Sequence, residues 1–394
     1  MGESVSEFGS QITVLALPLV AVRLLHASTF EVGALTAATT VAFLLVGLPA
    51  GAWVDRLRRR PVLIVADLGR VAAIGSIPVA AAAGALGLPQ LYLVAVVSGV
   101  LTVFFDVAYQ SYLPALVGRG HLEEGNAKLQ ATAQLAAVSG PAMAGGLVQA
   151  VGGPYAVALD AASFLWSAGA VTTIRATEAP PAPRPEGRAG RLPAQVAEGL
   201  RFIVRHPVLR YIAGYTATAN FCSSMATAVE VVFLARLLHQ PAGVIGLLLA
   251  AGGCGGVLGA VTSAWFGRRL GGARATLFGG LASGGIVLYP LTEPGWRLVL
   301  FAVGAALFGF GAVIYNVHQV SYRQRVCPDH LLGRMNASMR FLVWGTLPIG
   351  GLLGGAIGGA VGVRPLLWLA GAGGVSSIGW LLASPLRGRR DYPD

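Results

Sequence analysis

Charge is what this sequence has least of. Only 11% of its 394 residues are Asp, Glu, Lys or Arg, against about 25% in an ordinary soluble domain. Apolar residues make up 55% and the mean hydropathy is +0.68, which excludes a water-soluble globule. Cysteine is scarce as well. Cys222, Cys254 and Cys327 have no short spacing, so neither a disulfide framework nor a zinc site is supported. Two of them lie in apolar segments, where a thiol reads as a small hydrophobe. Also missing are a Gly-rich phosphate loop with Lys, a His-Glu-x-x-His pair and a nucleophile elbow. No enzyme is expected, no cofactor or metal is implied, and ATP-driven pumping by this chain alone is excluded. The formal charge of +11 points towards nucleic acid only until the basic residues are placed. They form no basic face and no aromatic-interleaved groove. No cleavable leader is recognised, and the first apolar run reads as a retained span.

What the chain has instead is apolar runs of membrane-crossing length, about 20 residues each. They are expected near 8–26, 31–54, 61–85, 90–112, 129–150, 154–174, 208–238, 242–266, 273–292, 296–321, 336–360 and 362–384. The long polar interval 175–207, rich in Pro and charge, can neither cross a membrane nor build a core. It divides the spans six and six, giving an N-terminal bundle over 1–174, a linker over 175–207, and a C-terminal bundle with a short basic tail over 208–394. Within the linker, Leu192, Val196, Leu200 and Ile203 share one helical face and Glu198, Arg201 and Arg205 largely another, an amphipathic helix suited to a membrane surface.

Orientation follows from the basic residues. Alternate connections and the C-terminus hold 23 of the 28, so both termini are expected on the cytoplasmic side of the inner membrane. Lys128 is the sole lysine among them, and the arginine bias serves only as a topological marker.

The two halves repeat. Arg23-Leu-Leu-His26 recurs as Arg236-Leu-Leu-His239 at an offset of 213, and Ser111-Tyr112 recurs as Ser321-Tyr322 at 210. At the same 210, Gly140, Gly145 and Ala150-Val151-Gly152 fall on Gly350, Gly355 and Ala360-Val361-Gly362. Six spans per half keep the repeat in one orientation. The expected fold is therefore an all-α integral membrane protein, twelve transmembrane helices in two pseudo-symmetric six-helix bundles.

Several segments carry chemistry. The second span ends in Gly51-Ala-Trp-Val-Asp55-Arg56-Leu-Arg58-Arg59-Arg60, where a carboxylate can pair with arginine or a helix N-terminus and act as an inner latch. The bland alternative is a positive-inside anchor. Its second-half counterpart has Gly267 in place of Asp55. Gly140, Pro141, Gly145 and Gly146 permit a bend and close packing in the fifth span. Glycine columns through Gly350, Gly354 and Gly358 and through Gly351, Gly355 and Gly359 read as a packing face against the fifth or second helix, with a dimer face as the alternative. Asp67 and Arg70, three apart, can pair, and Asp67 and Asp106 are expected to join Arg56 or Arg59 in an inner charge network, read either as a gate or as merely structural. Asp160 is read as a helix-start or interfacial residue. Asn220, Ser223, Thr227 and Glu230 step by three, four and three onto one stripe, which should face water or substrate. The rival reading has the hydroxyls bonding back to their own helix and Glu230 emerging at the outer surface. Asp106 corresponds to Asn316 across the repeat, with Tyr315, His318 and Tyr322 nearby.

These segments resemble the major facilitator superfamily. The Asp55 loop is similar to its loop motif, with Leu57 and Arg58 where a Gly is usual. The Gly140 stretch is similar to its antiporter motif with one extra residue between the glycine pairs. Four stretches narrow the likeness to a bacterial exporter branch that includes enterobactin and macrolide efflux proteins: Gly9 to Thr13, Asp55 to Arg70, Tyr155 to Leu165, and Glu198 to Arg210. The resemblance implies alternating access by two six-helix halves, a cavity lined by the first, fourth, seventh and tenth spans, and efflux driven by proton antiport. Residues expected around the substrate are Gln11, Asp106, Asn220, Thr227, Glu230, Tyr315 and Asn316. Those expected to carry the proton are Glu230, Asp106 and His318, with Asp55, Arg56, Arg59, Asp67 and Arg70 as the gate. The expected partners are an amphipathic small molecule (antibiotic-like or siderophore), protons and the lipid bilayer, with the chain as a monomer. The alternatives are an importer of the same fold and a lipid-moving or complex-associated membrane protein.

Overall fold

The computed structural model describes residues 2–54, 57–117, 122–174 and 192–392. Among them every regular element is helical. The helices are α1 (Gly2–Arg23), α2 (Thr29–Val54), α3 (Arg59–Ala82), α4 (Leu88–Val117), α5 (Leu122–Val151), α6 (Gly153–Thr172), α7 (Leu192–Arg205), α8 (Leu209–Val232), α9 (Ala242–Leu270), α10 (Gly272–Ala282), α11 (Leu298–Val326), α12 (Asp329–Val361), α13 (Val363–Ser376) and α14 (Ile378–Leu382). Nine of the described helical segments are long and apolar enough to cross a membrane. With α5, α6 and α10, the described residues accommodate the twelve expected spans, α13 and α14 forming one.

The helices outrun the apolar stretches. α4 continues through Pro114 to Val117, where the sequence suggests an exit at Tyr112-Leu113-Pro114, and α11 and α12 reach Val326 and Asp329. Polarity ends a span, whereas a helix ends only when its backbone bonds do. Three irregularities break the spans themselves. α8 closes in a π-turn, Phe233–Leu237, α10 tightens into a 3-10 stretch, Ser283–Leu291, that contains Pro290, and the last span is interrupted at Ser377.

The chain forms two compact units. The first holds the described residues of 2–174 together with His239–Leu247, and the second those of 192–238 and 248–392. In the first, α6 packs on α1 and α3, α4 on α2 and α3, and α5 on α1. In the second, α12 and α13 pack on α8, and α11 and α13 on α10 with its 3-10 extension. The glycines explain how these helices come so close. A Cβ at Gly255 of α9 would lie 2.0 Å from the Ala306 oxygen of α11, and one at Gly309 of α11 would lie 2.1 Å from the Gly252 oxygen. Gly350 and Gly354 of α12 seat on α8, against Phe221 and Met225, so the partner of that glycine face within its unit is the seventh span.

The repeat extends to the backbone. Gly152 and Gly362 start α6 and α13 with φ of 87° and 100°, a region that costs glycine little. His26 and His239 hold φ of 52° and 54°, the left-handed region that side-chain-bearing residues rarely enter.

At the arginine-rich end of the second unit, the tail is docked. The Arg390 carbonyl accepts from the N–H groups of Ala273 and Arg274, Asp391 Oδ1 accepts from Gly272 N–H at 2.9 Å, and Tyr392 stacks on Tyr322 with centroids 4.0 Å apart. The linker helix α7 buries Ile203 against α8 and the Met335 and Met339 region of α12, while Leu200 and Val204 remain exposed.

Candidate functional site

Glu230 is the seventh-span acid around which the site is built. It lies on the last turn of α8, before the π-turn, in a helix whose other sides are taken by α12 and α13. Ser223, Thr227 and Glu230 share the wall of a cavity of about 180 Å³ with Leu249 and Gly252 of α9, Ile286 and Tyr289 of the 3-10 stretch, and Ala305 and Phe308 of α11. One carboxyl, two aliphatic hydroxyls and one phenol thus meet in an otherwise apolar chamber. Among the described residues, no cation pairs with the Glu230 carboxyl. The volume suits about six waters or one polar end of a ligand, since a whole drug-sized molecule takes roughly 300–1,000 Å³. Tyr289 is fixed from behind by stacking on Phe301, centroids 4.1 Å apart. Gly252 keeps α9 near α11, an added Cβ there falling 3.6 Å from the Ala305 oxygen.

The remaining expected residues are distributed as follows. Asn220, one turn before Ser223, donates from Nδ2 to the Thr216 oxygen of its own helix at 2.8 Å. Tyr315 is buried, its hydroxyl 2.7 Å from Thr216 Oγ1 and its ring 4.5 Å from that of Tyr215; it ties α11 to α8. Asn316 accepts from Gln319 Nε2 at 2.9 Å. His318 Nδ1 lies 2.9 Å from the Ile314 oxygen, and its Nε2 occupies the space beside Gly267, 2.8 Å from where a Cβ would stand. A side chain at Gly267, where the first half has Asp55, would have to displace that ring.

In the first unit, Gln11 of α1 covers Gly140 of α5, where a Cβ would fall 2.5 Å from its own Cβ. Gly145 and Gly246 face each other across the α5 and α9 crossing. A Cβ on Gly145 would lie 2.4 Å from the Ala242 oxygen, and one on Gly246 would lie 2.2 Å from the Pro141 oxygen. Gly146 has open space beside it. Asp67 and Arg70 form a buried ion pair, and Asp106 of α4 lies within electrostatic range of Arg70. Arg59 opens α3, while Asp55 and Arg56 lie outside the described residues. Asp160 is not at a helix start: it is the eighth residue of α6, 1% exposed, and contacts Thr13 of α1. Sequence reasoning missed Tyr289 and Phe308 in the cavity wall. The one signal available was Pro290, which marks where the regular helix gives way.

His206 sits between α7 and α8. Its Nδ1 accepts from the N–H groups of Val208 and Leu209, both at 3.2 Å, so the ring must be neutral there to cap the helix. Burial pushes the imidazole below its ordinary 6.5. A base with a lowered folded-state value contributes stability that is present above its unfolded value and lost as pH falls. Melting temperature is therefore expected to drop on acidification below about pH 6.5. In His206→Asn, whose side-chain oxygen accepts the same N–H groups, that part of the drop should vanish. Melting curves of both proteins across a pH series check this, and parallel curves would refute it.

Comparison with known proteins places this geometry among transporters. The family model described as Major Facilitator Superfamily matches residues 1–346. The chain is 30% identical over 354 residues to the multidrug efflux pump Tap of Mycolicibacterium fortuitum, covering 88% of this chain and 84% of that one. It is 31% identical over 335 residues to the enterobactin exporter EntS of Shigella dysenteriae serotype 1, covering 82% and 75%. In fold it is similar to a bacterial homologue of the iron transporter ferroportin, with a TM-score of 0.76, 15% identity, and 98% and 97% of the two chains covered. It is also similar to the nucleoside transporter NupG, with a TM-score of 0.76, 12% identity, and 97% and 98% covered.

Proposed function

Because the chain belongs to the Major Facilitator Superfamily, we propose that it exports an amphipathic small molecule, antibiotic-like or a siderophore, in exchange for protons by alternating access. The observation that carries this reading is Glu230, a carboxyl without a cationic partner among the described residues, on the wall of a mostly apolar cavity. An acid at membrane depth costs about 2.5–3.5 kcal/mol on insertion scales and belongs where water, a proton or a ligand meets it. The chamber's apolar walls suit a hydrophobic solute, and its three hydroxyls and one carboxyl suit the polar end. The relatives, a multidrug efflux pump and an enterobactin exporter, support export over import. In this reading the protein works as a monomer in the inner membrane, with both termini cytoplasmic. The basic residues support that orientation.

The test is accumulation of a panel of fluorescent dyes, macrolides and catecholate siderophores in cells expressing the protein, with and without a protonophore. Exclusion of at least one compound, abolished by the protonophore, is expected. Protonophore-stimulated accumulation would indicate import, and indifference across the panel would favour a lipid-moving or complex-associated role.

A further inference from the structure

A second ionic cluster lies wholly within the first unit, apart from the Glu230 cavity. At its centre is Arg70 of α3, 4% exposed, its guanidinium carbon 4.4 Å from the Phe105 ring centroid and 4.1 Å from that of Phe164. Asp67 pairs with it on the same helix. Glu7 of α1, Asp106 of α4 and Asp160 of α6 lie within its electrostatic range. From Leu129 to Val151, α5 brings no ionisable side chain to the group. Among the described residues Asp160, 1% exposed, forms no ion pair, because Arg70 is taken by Asp67. At membrane depth a buried carboxylate without an ion pair is costly to keep, and a bound proton relieves that cost.

The hydrogen bonds set Asp160 apart from Asp67. Asp67 has the arginine, whereas the Asp160 carboxyl is met by hydroxyls, those of Thr13 and Ser163. Ser163 Oγ lies 2.7 Å from the main-chain oxygen of Asp160 and 3.3 Å from Oδ1. A hydroxyl carries a single hydrogen. Ser163 gives its shorter bond to the main chain, so Oδ1 receives at most a weak share of that hydrogen and has room to carry one of its own. Beside it the cluster keeps unused ionic capacity: Arg70 Nε and Asp67 Oδ2 are buried without a hydrogen-bond partner among the described residues.

We infer that Asp160 is a proton-binding carboxyl of the first unit, protonated while Arg70 is held by Asp67 and ionised when Arg70 turns to it. On release, the O–H bond of Asp160 breaks, the proton passes to water, and Arg70, itself always protonated, neutralises the carboxylate left behind. The inference rests on the proton-exchange reading for its purpose, but the proton itself is measured without transport.

Infrared difference spectra of the full chain in lipid nanodiscs, recorded as pH is raised from mildly acidic to mildly alkaline, report protonated carboxyls directly through their C=O stretch. One component of the protonated-carboxyl band at neutral pH is expected in the parent protein and in Glu230→Gln, and is expected to be missing in Asp160→Asn. Asp67→Asn, which frees Arg70, should make that component disappear at a proton concentration at least tenfold higher. Thr13→Val keeps the carboxyl but removes a hydrogen bond, so it should shift the band's frequency; this variant serves if Asp160→Asn does not fold. Unchanged bands in Asp160→Asn, or an unmoved midpoint in Asp67→Asn, would overturn the assignment. Because the band is read whether or not export depends on a proton gradient, loss of the transport reading and loss of this one give different results.

Discussion

Glu230→Gln is expected to reduce proton-driven export by on the order of 10²-fold or more, the usual scale for removing a positioned proton-transfer group. The change is nearly isosteric and removes no ion-pair partner, so the helix and the cavity should survive it. What it removes is the only carboxyl that the described residues bring to a wall otherwise made of hydroxyls and hydrocarbon. Counterflow in proteoliposomes, which needs substrate exchange but no net proton movement, should persist in the same variant. Thr227→Val, which keeps the acid and deletes one hydroxyl from the wall, should weaken apparent affinity by only a few-fold, in line with loss of one neutral hydrogen bond worth about 1 kcal/mol. Full proton-driven activity in Glu230→Gln, with an unaltered pH profile, would remove Glu230 from the coupling mechanism.

The largest effect on stability is expected at the crossing of α9 and α11. Gly309→Val would put a Cβ 2.1 Å from the Gly252 oxygen and 3.1 Å from the Gly256 nitrogen. Both neighbours are backbone, so relief requires the helices to part. Overpacking of this kind costs about 3 kcal/mol or more when no side chain can yield. The variant should express poorly and lose its single symmetric peak in size-exclusion chromatography. Gly374→Ala is the control: nothing stands within 4 Å of its added methyl, and an alanine inside a helix is worth about 0.5–1 kcal/mol over glycine. Its melting temperature should equal or exceed that of the parent. Equal behaviour of the two variants would show that the helices are not held at glycine distance.

Much of this architecture is written in hydropathy, because a bilayer imposes one length on every crossing segment. The apolar runs, the repeat and the Ser223, Thr227 and Glu230 stripe are all read from spacing along the chain. What spacing does not carry is the partner. Thr13 and Asp160 touch across 147 residues, and only packing of α1 on α6 turns an acid near a span's outer end into a buried one. Tyr315 illustrates the converse. Its position suggests a cavity wall, yet Thr216 and Tyr215 occupy it, since a phenol that finds a hydroxyl and a ring in the core is satisfied there. The docking of Tyr392 on Tyr322 was equally hidden, because a short basic tail has no periodicity to read.

The matching turns at Gly152 and Gly362, and at His26 and His239, bear on where the two halves differ. A joint needs an unusual φ at one register, and the two halves share these joints at the same offsets as their sequence repeat. The charges do not follow them. At the offset of 210, Asp67, Arg70 and Asp160 fall on Leu277, Gly280 and Ala370, and at 213 Glu230 falls on Leu17, a packed core residue. The hinges stand in duplicate and the chemistry does not, so each half carries ionisable groups at positions where the other has none.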